Sequence, residues 1–152
     1  MGALEGLLVV AVEQAVAAPL CTSRLVEAGA RVIKVERAGG ETARHYDSVV
    51  EGTSAYFAWL NAGKESAVVD LKTDAGLSLL RTMIERADVL VQNLSPGAMD
   101  RMGLDEAALS ALNPRLISLG IVGYDQGSSF ADMRAYDALV QAESGICAVT
   151  GE

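Results

Sequence analysis

The residues able to do chemistry are few and scattered through 152 positions. The single histidine, His45, lies beside Arg44 in an irregular stretch, and reads as a solvated loop side chain rather than a catalyst. Cys21 and Cys147 form no C-x-x-C pair, so neither zinc nor a redox centre is expected, and both read as small buried residues in a reducing compartment. The most suggestive stretch is Ala87-Asp88-Val89-Leu90-Val91-Gln92-Asn93-Leu94-Ser95-Pro96-Gly97. A short continuous apolar run ends there in a polar turn, with Ser95 as N-cap and Pro96 at the first helical position. A strand end feeding a helix N-terminus aims backbone N–H groups and the positive end of a dipole at one spot, which suits an anion. By itself the stretch also fits an ordinary strand-to-helix loop.

The elements that must position these residues follow a βα rhythm. Leu7–Val12 reads as a buried strand; Ala17-Ala18-Pro19 opens a helix running to about Ala28, closed by Gly29; and Arg31–Glu36 is the second strand. The turn after the first strand carries small residues but no G-x-G-x-x-G, so a nicotinamide cofactor is not expected. From Ala38 to Ser54 the pattern breaks into a long loop, and Tyr56–Leu60 forms a short aromatic helix. Glu65–Leu71 is the third strand. Thr73 or Asp74 then caps the most regular helix, Ala75–Ala87, whose Leu77, Leu80, Met83 and Ile84 recur at helical spacing. After the Val89-Leu90-Val91 strand come a helix over Glu106–Leu112, a fifth strand over Arg115–Ile121, and a turn-rich segment over Gly123–Ser129. A helix over Ala135–Ser144 closes at Gly145, and the stop at Thr150-Gly151-Glu152 suggests truncation.

Composition narrows the classes. Length and a 51% hydrophobic, 21% charged make-up fit one domain, residues 1–152, while aromatics at 5% leave Ala, Val, Leu and Gly for close helix-on-sheet packing. A net charge of −8 argues against nucleic-acid binding, which needs clustered cations. No stretch has the length of a membrane span and no secretory leader pattern opens the chain, so no membrane partner is expected and the cytoplasm is the default location.

Several short pieces, in order and at compact spacing, carry a resemblance. They are Ala17-Ala18-Pro19, Val32-Ile33-Lys34-Val35-Glu36, Asn61-x-Gly63-Lys64, Asp70-Leu71-Lys72-Thr73, Ala87-Asp88-Val89 through Asn93, Pro96-Gly97, Arg101-Met102-Gly103, Asn113-Pro114-Arg115-Leu116-Ile117, and Tyr136-Asp137 with Gln141. Along its whole length the chain resembles the amino-terminal portion of the family III CoA-transferases, which include formyl-CoA transferase, carnitine CoA-transferase and α-methylacyl-CoA racemase. The resemblance implies an α/β fold: a Rossmann-like, doubly wound, mostly parallel sheet, here incomplete and without the family's second small domain. It implies coenzyme A or acyl-CoA as substrate at the carboxyl edge of that sheet, and no metal. Ala15, Val16 and Ala17 match the first strand-to-helix turn. Arg37 matches a contact to the nucleotide end of CoA, with Lys72 and Arg101 at basic positions near it, and Asn93 and Leu94 match the pantetheine path. Each cation alone reads as surface charge.

Tyr136 and Asp137 match the pair beside the chemistry. Racemases of the family carry His-Asp there, and a tyrosine, with a pKa of about 10, is a poor base at neutral pH, so a transferase is favoured over an isomerase. The family's nucleophile is an aspartate that takes the acyl group as a mixed anhydride. The resemblance puts it roughly fifteen residues past Glu152, so the chain alone is expected to be inactive. The partners implied are acyl-CoA, a small carboxylic acid, and a second copy in an interlocked homodimer. A non-catalytic CoA-binding module and a racemase-like isomerase remain the alternatives.

Overall fold

The computed structural model describes residues 2–125, 127–133 and 135–150; Gln126 of the turn-rich segment, and Gly151 and Glu152 at the end, lie outside them. Five parallel strands form one sheet in the order β3-β2-β1-β4-β5. They are β1 (Leu8–Val12), β2 (Arg31–Glu36), β3 (Glu65–Val68), β4 (Val89–Gln92) and β5 (Ile117–Gly120). The chain moves outward from β1 through β2 to β3, then returns to place β4 on the other side of β1. The sheet is thus doubly wound, with its switch point between β1 and β4.

The central strands β1 and β4 are apolar because both of their faces are covered. Val10, Val12 and Leu90 cluster with Leu80 and Ile84 of α3 (Asp74–Arg86) and Leu109 of α5 (Glu106–Leu112). On the opposite face Val9, Ala11, Val32 and Val91 pack with Ala18 of α1 (Ala17–Glu27). The helical stripe read over Leu77–Ile84 is core at Leu80 and Ile84, whereas Leu77 and Met83 are half-buried. Thr73 caps α3, its Oγ1 accepting from Gly76 N at 3.1 Å. The Asn113 side-chain amide donates to Ile84 O and Ala87 O at 3.0 and 2.8 Å, tying off the far end.

Several local expectations need correction. β3 stops at Val68 because Asp70 turns the chain: its Oδ1 accepts from Lys72 N at 3.0 Å and its carbonyl from Thr73 Oγ1 at 2.9 Å. β5 is trimmed to Ile117–Gly120, since Asn113 Oδ1 accepts from Arg115 N at 3.1 Å and holds the preceding residues in a turn. Ser95 is not an N-cap. The helix after β4, α4, is a single turn over Ala98–Arg101, entered through Gly97 at φ 69 without a side-chain cap. The aromatic segment is α2 (Ala55–Asn61), capped by Ser54. The last helix is α6 (Asp137–Glu143), with Gly145 at φ 76 after it, followed by α7 (Ile146–Thr150), which the pattern had not suggested. Cys21 is half-buried and Cys147 exposed, so neither is a core residue: Cys21 flanks the buried stripe of α1, and α7 buries none of its residues.

Candidate functional site

The turn between β1 and α1 is gripped from two sides. Asn93, just past β4, accepts from Gln14 N at 2.9 Å through Oδ1 and donates to Gln14 O at 2.8 Å through Nδ2. The next residue, Ala15, stands at φ 62, a conformation that costs a residue with a Cβ about 1 kcal/mol. Its N–H donates to Glu41 Oε2 at 2.5 Å. Beyond this turn α1 starts at Ala17 with Val16 as its N-cap and no side-chain cap bond, so among the described residues no capping side chain answers the N–H groups of its first turn. A cleft of about 380 Å³ opens there, between the carboxyl ends of β1, β4 and β5, and Gln14, Ala17, Asn93, Leu94, Tyr124 and Tyr136 contribute to its walls.

Of the residues expected at the site, Ala17, Asn93, Leu94 and Tyr136 line this cleft, and Ala15 and Val16 form the turn at its edge. Asp137 opens α6 next to Tyr136, and its Oδ2 accepts from Gln141 Nε2 at 2.6 Å. The three cations lie outside the cleft lining. Arg37 follows β2 with its Nε donating to Gly40 O at 2.9 Å, Lys72 follows β3, and Arg101 folds back along α4 to donate to Pro96 O at 3.3 Å. All three are exposed. In strand order across the carboxyl edge, Lys72 follows β3, Arg37 follows β2, the Ala15–Ala17 turn follows β1 and Asn93-Leu94 follow β4. The helix expected to open at Ser95-Pro96 is the one-turn α4 over Ala98–Arg101, which offers little dipole, and the longer helix that starts beside the cleft is α1.

Behind the turn lies a buried ionic network that sequence reading missed. Glu13, Lys34, Glu36 and Glu41 are each 6% exposed or less. Glu13 Oε1 accepts from Lys64 Nζ at 2.8 Å and lies 3.5 Å from Lys34 Nζ, while its Oε2 accepts from Thr22 Oγ1 at 2.7 Å. Lys64 Nζ also donates to Pro19 O and Asn61 Oδ1 at 2.9 and 3.1 Å. Lys34 Nζ stands 2.5 Å from Glu41 Oε1, an ion pair outside hydrogen-bond angles. Arg44 grips Glu36 with two bonds of 2.8 Å and lays its guanidinium 3.9 Å from the Phe57 ring centre. Three acids face three bases, so the network is neutral as a unit. Burial pushes the Glu36 carboxyl up, but the Arg44 hydrogen bonds and charge, with Lys34, outweigh it and hold the carboxyl below its ordinary value. Burial pulls the Lys64 ammonium down, against the opposing pull of Glu13. The signal was in the sequence: Lys34 interrupts the apolar run of a strand covered on both faces, and a charge there requires a partner.

A doubly wound parallel sheet with a cleft at its switch point defines an α/β domain of the open-sheet class. The sequence matches the profile of CoA-transferase family III over residues 4–152, and the chain belongs to that family. It is 41% identical over 151 residues to an acetyl-CoA:oxalate CoA-transferase of Acetobacter aceti, covering 99% of this chain and 39% of that one. It is 38% identical over 157 residues to a succinate–glutarate CoA-transferase of Agrobacterium fabrum, covering 98% and 39% respectively. Among solved structures, a CAIB/BAIF family protein from Brucella suis superposes with a TM-score of 0.91 at 36% identity, covering 99% of this chain and 41% of that one. The chain thus spans about two fifths of the length of these relatives.

Proposed function

We propose that this chain is the CoA-binding part of an acyl-CoA:carboxylate CoA-transferase. The observation that carries the reading is the cleft at the β1/β4 switch point, walled by Ala17, Asn93, Leu94 and Tyr136 and continued by Arg37 and Lys72 along the same sheet edge. The uncapped start of α1 and the exposed cations suit the phosphates of the nucleotide end, and the half-buried Leu94 suits the thinner pantetheine arm. In the full reaction an aspartate carboxylate attacks the acyl-CoA carbonyl, expelling CoA thiolate and leaving a mixed anhydride. The thiolate then attacks the aspartyl carbonyl, releasing the acid and storing CoA as an aspartyl thioester for the acceptor carboxylate. That aspartate lies beyond Glu152 on this reading. The chain therefore supplies binding and orientation, with Tyr136 and Asp137 beside the reacting end. Tyrosine in place of a histidine base favours transfer over racemisation. The reading further carries a cytoplasmic location and a homodimer for the longer protein.

Calorimetry with CoA tests this. The chain should bind CoA, and Arg37→Ala and Arg101→Ala should each weaken binding by about threefold to tenfold, with losses that shrink as salt screens the phosphates. No acyl-CoA turnover with an acceptor acid should accompany binding. Unchanged affinity in both variants would remove these cations from the site, and turnover by the purified chain would remove the missing-nucleophile account.

A further inference from the structure

We propose that Glu41 is a positioning residue for the CoA-binding turn: its carboxylate, held from behind by Lys34, fixes the Ala15 N–H and so sets the direction in which Val16, Ala17 and the first turn of α1 face the cleft. The inference rests on the CoA reading above for its ligand, but not for its geometry.

Three observations carry it. Ala15 occupies a left-handed conformation that its Cβ disfavours, and such a residue keeps that shape only where its surroundings over-determine it. The surroundings do so here with one side chain on each side. Asn93 takes both backbone groups of Gln14, and Glu41 takes the very next N–H. Glu41 is itself 6% exposed and divides its two oxygens between Ala15 N and the Lys34 ammonium, which is 1% exposed and also approaches Glu13 at the root of the same turn. A side chain so enclosed has little freedom, and it transmits its placement to the backbone that meets the ligand. Glu41 is not among the residues that line the cleft, and its hydrogen bond to the turn is through the Ala15 N–H.

Two conservative variants separate this role from mere charge balance. Glu41→Asp keeps the negative charge beside Lys34 but withdraws the acceptor by about 1.5 Å. Glu41→Gln keeps the reach and an oxygen able to accept from Ala15, but removes the nearer of the two carboxylates that face Lys34 and leaves it only Glu13 at 3.5 Å. CoA affinity of the full chain by calorimetry, thermal midpoint, and amide hydrogen exchange of Gln14 and Ala15 are read for each. Glu41→Asp should lose about tenfold in CoA affinity, the worth of one hydrogen bond to a charged acceptor, while Glu41→Gln stays within about threefold. The thermal midpoints should run the other way, with Glu41→Gln the lower. Exchange at Ala15 should quicken in Glu41→Asp while that at Gln14, held by Asn93, does not. If affinity and midpoint fall in the same order, or both amides move together, Glu41 is structural and the proposal is overturned. The same holds if Glu41→Asp fails to fold. If the unaltered chain binds no CoA, the function reading falls, and the exchange pattern alone decides whether Glu41 positions the turn.

Discussion

Glu36 shows how a single residue ties stability to pH. Its carboxyl is almost fully buried, and Arg44 holds it below its ordinary value of 4.5, so the folded chain stays ionised where the unfolded chain begins to take up a proton. Stability from this pair is therefore complete above about pH 4.5 and is lost as pH falls through the lower folded value. Lys64 adds a dependence of the same sign at the alkaline end. Its folded value is depressed below 10.5, so the folded state loses the proton first and stability rises as pH approaches that value from below. Urea unfolding across pH 3 to 7 should show a shallower acid loss in Glu36→Gln, together with a cost at neutral pH of about 2 kcal/mol, discounted for the one-third exposure of Arg44. An unchanged acid limb would remove Glu36 from this role. Residues of this kind are the hardest to read in advance. Lys64 and Glu13 are 51 positions apart and Glu41 and Ala15 26 apart, and nothing local marks them as partners. What the sequence does show is the anomaly itself, a lysine inside an apolar strand.

At the scale of elements the sequence was far more legible. Strands covered on both faces must be nearly all apolar, so β1 and β4 announce themselves, and α3 is marked by its cap and its stripe. The errors fall where short side-chain bonds to the backbone decide the outcome. Asp70 and Asn113 each bend the chain out of an expected strand residue, and Gly97, rather than Ser95, admits α4. The candidate site was legible in part for the same reason: its turns follow strands that are easy to find, whereas the network behind them joins distant loops. The cap on α3 gives a direct check. Thr73→Ala should cost about 1 kcal/mol in denaturant unfolding, while Thr73→Ser should cost only a few tenths. Equal losses would mean that the methyl group, not the hydroxyl, is what Thr73 contributes.

Over the whole molecule the burial is lopsided. The sheet is densely covered at β1 and β4, but every residue of β5 is exposed, with Ile117 at 66%, and α6 and α7 bury none of their residues. Leu119, Leu139, Ile146 and Val149 are exposed as well. Covering about 400 Å² of such surface is worth on the order of 10 kcal/mol, within the range of what association costs. The chain should therefore self-associate at raised concentration, with sedimentation velocity showing a sedimentation coefficient that grows with loading, and Ile117→Lys should reduce it. A single monomeric species at all concentrations would show that this face is stable in water.

The grip on the β1–α1 turn also sets an order of events in time. The two side chains that shape it come from positions 41 and 93, whereas the turn itself lies at 14 and 15. As the polypeptide grows, the turn is made before both of these partners and stays without its final shape until the strand ending at Gln92 has docked beside β1. Ligand competence is thus a late property of folding. A chain able to hold its ligand at this turn has, by that fact, already assembled the centre of its sheet.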